Sequence, residues 1–273
     1  MERESKLVGA YKEYYMYSWE ALSLAGGSGT IFTDVTTKMD SDADFEIIKR
    51  IHDATDDRIR VKYQDDSYGR QFQNGTAGLD LRGVSGTRLE ATGVVDVGES
   101  LNNFIPFILP RPYLIRAGTT YTASYADFSG AANSIRQTFH GAKIRPGKAP
   151  WDARWTAKPP FDYTTGSTVI AAGQTASVQI SIQIDAHFLI QKIVGTRSSG
   201  APALVTISTR GNDRQWMDKA VSFDNLVGNG QFPNILPAPR LAERGSTISI
   251  TIQNTSSVFS GTYEIIFSGL KLF

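Results

Sequence analysis

Cysteine is absent from all 273 residues, which removes disulfide frameworks, thiolate metal sites and cysteine nucleophiles together. Charge imbalance is absent too. With 28 basic and 27 acidic residues the net charge is +1, so no protein-wide field gathers nucleic acid or anionic lipid. No run of 18 or more apolar residues occurs, and the opening MERESKLVGA lacks the apolar centre of a secretory signal. The expectation is a soluble chain made in the cytosol, with neither nucleic acid nor membrane among its direct partners.

Groups that carry chemistry are sparse. Histidine occurs only as His52, His140 and His187, none at metal-binding spacing from another. There is no Gly-x-Ser-x-Gly elbow of the kind that exposes a nucleophilic serine. Asp40, Asp42 and Asp44 open like a calcium loop, but Phe45 stands where the loop needs glycine and Ile51 where it needs an acid. The glycines at Gly26 and Gly27 lead no phosphate-binding lysine. No catalytic, cofactor-binding or metal residue is nominated. A pocket joining His140 to an acid and a serine would reopen the question of an enzyme.

What the chain does contain is a phrase written twice. Pro106, Leu109, Pro110, Pro112, Gly118 and Thr120 recur as Pro233, Leu236, Pro237, Pro239, Gly245 and Thr247, each pair 127 positions apart. Downstream, Phe139, Gly141 and Lys143 answer Phe267, Gly269 and Lys271 at 128, and upstream DFEIIKRI resembles HFLIQKIV at 143. The second copy is therefore about 16 residues shorter between its first strands and its proline phrase. A period this long means two domains of one kind in tandem, not a solenoid.

The domain type follows from periodicity. Val178, Ile180, Ile182 and Ile184 alternate with polar residues, as do Ile248, Ile250 and Ile252, the pattern of strands with one face on a core. Further strand-like runs are separated by Gly, Asn, Asp and Pro clusters at sandwich spacing. The expected fold is all-β: two tandem antiparallel β-sandwich domains, jelly-roll or immunoglobulin-like. Three prolines within seven residues do not fit a central strand. The repeated phrase is thus expected to be an extended crossover with Phe107, Ile108 and Leu109 pointing inward, and Gly118 and Gly245 to turn the chain into the next strand. The alternative, a proline-rich ligand for an aromatic groove, explains less well why both copies need it.

Two segments lie outside the detected repeat. Val8, Tyr11, Tyr15, Trp19 and Leu22 fall at helical spacing, and Gly26 and Gly27 follow, so residues 1–22 are expected to form a short N-terminal helical arm. It either packs on the first domain or docks on a neighbouring subunit, where Tyr and Trp are favoured anchors. The Pro- and Trp-rich stretch 146–166 is expected to be a semi-rigid linker between sandwiches at 23–145 and 167–273. Its Trp151 and Trp155 interleave with basic residues, a pattern shared with single-strand stacking platforms, yet a neutral chain favours a wedge between domains or against a partner. Carbohydrate gripped by these tryptophans is a further reading.

The alternating strand followed by FPNILPAPRLAERGSTISITIQNTSS and the closing YEIIFSGLKLF resembles accessory virion proteins of tailed bacteriophages, the β-sandwich modules of capsid surfaces and necks. That resemblance implies a non-enzymatic, multi-copy structural protein assembled in the host cytoplasm: a collar or neck component around the head-to-tail junction, or a capsid decoration protein. It implies homo-oligomerisation and contact with portal, connector or major capsid proteins. On this reading Val8, Tyr11, Tyr15, Trp19, Leu22, Trp151 and Trp155 are the partner-binding residues, and loss of residues 1–22 blocks incorporation while leaving both sandwiches folded.

Overall fold

The computed structural model describes residues 10–24, 31–54, 58–66, 70–71, 79–81, 85, 106–149, 158–197, 201–210, 214–228 and 232–273. The first domain runs through β1 (Ala10–Leu24), β2 (Thr33–Lys38), β3 (Asp44–Ala54), β4 (Ile59–Asp65), β5 (Arg70–Gln71), β6 (Leu79–Asp80), β7 (Phe107–Ile115), β8 (Thr120–Asp127) and β9 (Asn133–Pro146). The second repeats the series as β10 (Pro160–Thr164), β11 (Thr168–Ile170), β12 (Thr175–Ser181), β13 (His187–Arg197), β14 (Ala203–Arg210), β15 (Arg214–Gln215), β16 (Val221–Ser222), β17 (Asn234–Ala242), β18 (Thr247–Asn254) and β19 (Gly261–Leu272). A single helical turn, α1 (Phe223–Leu226), follows β16.

Each domain is two antiparallel sheets. In the first the orders are β1-β9-β3-β7 and β2-β8-β4-β5, with β6 also on β4; in the second they are β10-β19-β13-β17 and β12-β18-β14-β15, with β11 on β19 and β16 on β14. With β10 and β11 counted as one broken strand on β19, the first strand of each domain lies beside the last in one sheet, and the second beside the next-to-last in the other. Counting the two short strands on β4 or β14 as one broken strand, this is the jelly-roll order in both domains.

The repeated residues now have physical reasons. Ile48 in β3 and Gln191 in β13 are each an extra residue, so that Ile47 pairs with Gly141 but Lys49 with His140, and Ile190 with Gly269 but Lys192 with Ser268. At these bulges the neighbouring backbone closes on the glycine. A Cβ on Gly141 would stand 2.0 Å from the Glu46 carbonyl oxygen, and one on Gly269 would stand 2.0 Å from that of Leu189. Two residues on, Lys143 is buried with its ammonium on Asp40 and Asp42 and 4.0 Å from the Tyr15 ring centre; Lys271 bonds Gln183 and Asp185 and lies 4.4 Å from Phe161. Buried ammonium groups need such partners to offset lost hydration.

The proline phrase is an edge strand rather than a crossover. β7 pairs β3 only at its two ends, leaving Leu109 to Pro112 looped out opposite Ile48, and β17 leaves Leu236 to Pro239 opposite Gln191. Prolines are tolerated there because those positions donate no ladder bond. Leu109 and Leu236 pack on their cores as expected, but Ile108 and Ile235 are 64% and 55% exposed. Gly118 and Gly245 make the turns, at φ of 72° and 74°. The alternation in β18 buries Ile248, Ile250 and Ile252 completely, whereas the row in β12 stops at Ile182, and Ile184, on the following turn, is 82% exposed.

The N-terminal helical arm is not formed. Residues 10–24 are a strand that pairs with β9 over most of its length, Tyr15 opposite Gly141 and Tyr17 opposite Phe139. Phe161 and Tyr163 sit opposite Gly269 and Phe267 in the same way, so the supposed arm and part of the supposed linker are one repeated strand. The Tyr17 hydroxyl accepts the Asp40 N–H at 2.9 Å and the Tyr163 hydroxyl that of Gln183 at 3.1 Å. Helical spacing of five apolar residues misled because β1 is apolar on both faces, a pattern in which a period of two disappears.

Candidate functional site

The two faces of β1 enter two different cores. Tyr15, Tyr17, Trp19 and Leu24 belong to the first domain's core, with Phe45 and Phe139, while Tyr14 and Met16 belong to the second's, with Trp216, Met217 and Phe267. Alternation along a strand produces this division. Its consequence is a seam in which one strand fills both sandwiches.

Backbone bonds extend along that seam. Met16 N–H donates to the Trp216 carbonyl at 3.1 Å, Asp218 N–H donates to the Met16 carbonyl at 3.3 Å, and Ser18 N–H donates to the Asp218 carboxylate at 2.9 Å. Arg240, only 2% exposed, donates to the carbonyls of Tyr14 at 2.7 Å and Gln215 at 3.1 Å and lies 4.9 Å from the Trp216 ring centre. Glu13 sits between two guanidinium groups, 2.5 Å from Arg145 of the first domain and 3.8 Å from Arg240 of the second. The tryptophan itself is fixed by its Nε1–H on Thr209 at 2.8 Å. Across the middle of the seam, the Asn225 amide donates to the Arg136 carbonyl and the Thr138 hydroxyl, Ser222 donates to Asp53, and the Lys49 ammonium donates to the Ile235 carbonyl.

His140 lies at the centre, fully buried. Its Nε2 is 2.9 Å from the Asn225 carbonyl and its Nδ1 is 2.7 Å from the Tyr14 hydroxyl. A carbonyl only accepts, so Nε2 carries the proton and Nδ1 accepts from the phenol. Burial, reinforced by the Lys49 charge, pushes the imidazole pKa down to about 3, which keeps it neutral. Asp218 moves the other way: burial raises it to about 6 against the lowering effect of the Ser18 N–H. His140 stands on the strand surface where the second copy has Ser268. It is covered because the second domain packs over that surface in the first.

Of the seven residues expected to bind partners, Tyr15 and Trp19 are buried in their own sandwich at 5% and 1% exposure. Their rings pack on Phe45, Phe139 and Tyr121, so their apolar area is used within the chain and is not presented to a neighbour. Tyr11 is half-buried and lines an open groove of about 310 Å³ with Lys12, Ala149, Pro237 and Pro239. Leu22 has its backbone opposite Ile135; its side chain, and Val8, Trp151 and Trp155 entirely, lie outside the described residues. Among the described residues no group of three or more His, Asp or Glu side chains is placed to hold a metal ion, and no helix is long and apolar enough to cross a membrane.

The seam residues Tyr14, Met16, Trp216, Asp218, Asn225 and Arg240 were not anticipated. One signal lies in the sequence: RQFQN (Arg70 to Asn74) against RQWMD (Arg214 to Asp218) is a further piece of the repeat. Its differences fall at the seam, Trp216, Met217 and Asp218 standing where the first copy has Phe72, Gln73 and Asn74.

No known protein family matches the sequence, and no curated protein matches it. Among solved structures the chain is similar to the N-terminal CBM22-1-CBM22-2 tandem domain of Paenibacillus barcinonensis Xyn10C, at 8% identity over 97% of this chain and 94% of that one, with a TM-score of 0.18. A likeness this slight carries no functional argument.

Proposed function

We propose that the chain is a non-enzymatic structural subunit of a tailed-phage virion, present in many copies as a collar or neck protein around the head-to-tail junction or as a capsid decoration protein. The observation that best supports this reading is the seam. A module that only binds a ligand needs each sandwich folded; it has no need for one strand to fill both cores. Joining the sandwiches through β1, Arg240 and the His140 network suppresses hinge motion between them, since bending would expose Met16, Trp216 and Met217 to water. That is the property a rigid mechanical spacer requires. The partners on this reading are portal, connector or major capsid proteins and further copies of the chain itself.

Immunogold electron microscopy with antibody to the second domain tests the proposal on phage particles that carry the gene. Label at the head-to-tail junction supports the collar role, and label spread over the head supports decoration. Unlabelled intact particles, with the antibody shown to bind free protein, overturn the virion reading.

A further inference from the structure

The same edge strand occurs in both domains, protected in one and bare in the other. β2 and β12 each lie at the end of their sheet's order. In β12 the ladder to β18 is fixed by Ile182 N–H on the Ser246 carbonyl and Asn254 N–H on the Gln174 carbonyl, both at 2.9 Å, in register with Val178 opposite Ile250. Inward bonds therefore fall at even-numbered residues, and the backbone groups of Thr175, Ser177, Gln179 and Ser181 point away from the sheet. In β2, Met39 N–H bonds the Thr119 carbonyl at 2.8 Å with Thr37 opposite Tyr121, which turns Asp34, Thr36 and Lys38 outward. Charged residues on an edge block pairing with another chain. Where the first domain has Asp34 and Lys38, the second has Ser177 and Ser181, and no charge or proline occurs from Thr175 to Ser181.

We infer that β12 is an intermolecular pairing edge whose occupant is β12 of a second copy, joined antiparallel about a twofold axis through Val178. The strand is complementary to itself. Centred on Val178, the register sets Ser177 opposite Gln179 and Thr175 opposite Ser181, so the outward backbone groups fall in hydrogen-bonded pairs. Val178 then meets Val178 in a non-hydrogen-bonded pair, where β-branched side chains contact most closely. Ala176 and Val178, core-facing but only partly covered at the open edge, are covered by the added strand. The β2 edge is a poorer mate for β12 because Asp34 and Lys38 are exposed along it. An isologous contact of this kind closes on itself and yields a dimer rather than a filament. It stands independently of the virion role.

The register provides its own test, since the chain has no cysteine. Val178→Cys places one thiol opposite its copy with Cβ atoms roughly 4.5–5.5 Å apart, close enough for a disulfide after slight adjustment. Mild oxidation of the full chain is expected to give a covalent dimer of twice 29.9 kDa, forming faster than with Gln179→Cys, which is displaced from its copy, or Val35→Cys in β2. In sedimentation analysis without oxidant, the wild-type chain is expected to dimerise, and Ser177→Pro, which removes only an outward N–H, and Gln179→Lys each to weaken the dimer about tenfold. Asp34→Pro is expected to leave it unchanged. A wild-type chain that stays at 29.9 kDa across micromolar to millimolar concentration, or a dimer in which Val178→Cys crosslinks no faster than Val35→Cys, overturns the inference.

Discussion

Met16→Asp should uncouple the two sandwiches while leaving the first one folded. The side chain is fully buried in the second domain's core, whereas its strand neighbours Tyr15 and Tyr17 face the first. Removing the methionine forfeits roughly 2–5 kcal/mol of packing, and an aspartate in its place adds several kcal/mol of desolvation unless the seam opens to hydrate it. Opening is the cheaper outcome, because domains of this size hold only about 5–15 kcal/mol in all. Register gives a guide to the result: Phe161 and Tyr163 occupy the places of Tyr15 and Tyr17, so Asp162 occupies that of Met16, and there the acid is exposed on a folded strand. Scanning calorimetry is the assay. The wild type should melt in one cooperative transition. The variant should show two, with limited proteolysis first cutting the newly separated second domain. A single unshifted transition in the variant would refute the claim that Met16 couples the domains, and loss of both domains at once would refute the claim that the first core is independent of that face.

Three further outcomes follow from the same geometry. Gly141→Ala and Gly269→Ala each force a methyl to 2.0 Å from a carbonyl oxygen, so each should cost about 3 kcal/mol or more in urea unfolding, against about 1 kcal/mol for Gly118→Ala, where φ is 72° but the space is open. Deleting residues 1–22 removes most of β1 and should unfold the first sandwich outright, visible as lost amide protection in β9, rather than produce a folded protein that merely fails to assemble. The seam should also respond to pH in two opposed limbs. Asp218, raised to about 6, supplies stability below its ordinary pKa that fades as pH rises through 6, an effect of at most about 3 kcal/mol; His140, lowered to about 3, supplies stability that is present above its ordinary pKa and lost as pH falls toward 3. Asp218→Asn should therefore stabilise the chain at pH 8 and change little at pH 4, as read from urea midpoints, and equal effects at both would show that the carboxylate is not desolvated.

The tandem sandwiches were legible in the sequence because their devices repeat: Gly141 and Gly269 at the bulges, Lys143 and Lys271 with their acids, Ile248 to Ile252 in strict alternation. Such features answer to geometry within one domain, and one domain occurs twice. The β1 strand is not legible as a strand because Tyr14 to Trp19 is apolar except for Ser18, and a helix, a doubly covered strand and an aromatic arm all predict the same composition. The seam was hidden for a different reason. His140, Asn225 and Arg240 converge from strands and a helical turn far apart in the chain, and the packing of the second domain against β1 and β9 brings them together.

Differences between the copies explain why the tandem has a direction. The first domain presents Tyr14, Met16, Ser18 and His140 to the second, and the second domain's matching strands carry Pro160, Asp162, Thr164 and Ser268. Three of the replacements remove a contact that the seam uses: the phenol that bonds His140, the thioether in the neighbouring core, and the imidazole itself; Ser18 contributes its backbone N–H, which a threonine keeps. Asp162 is exposed, so burying it under a further sandwich would cost the desolvation of a carboxylate. The second domain thus does not carry the surface by which the first is held to it. Of the two equivalent edges, the uncharged β12 is the one left open for assembly into larger structures.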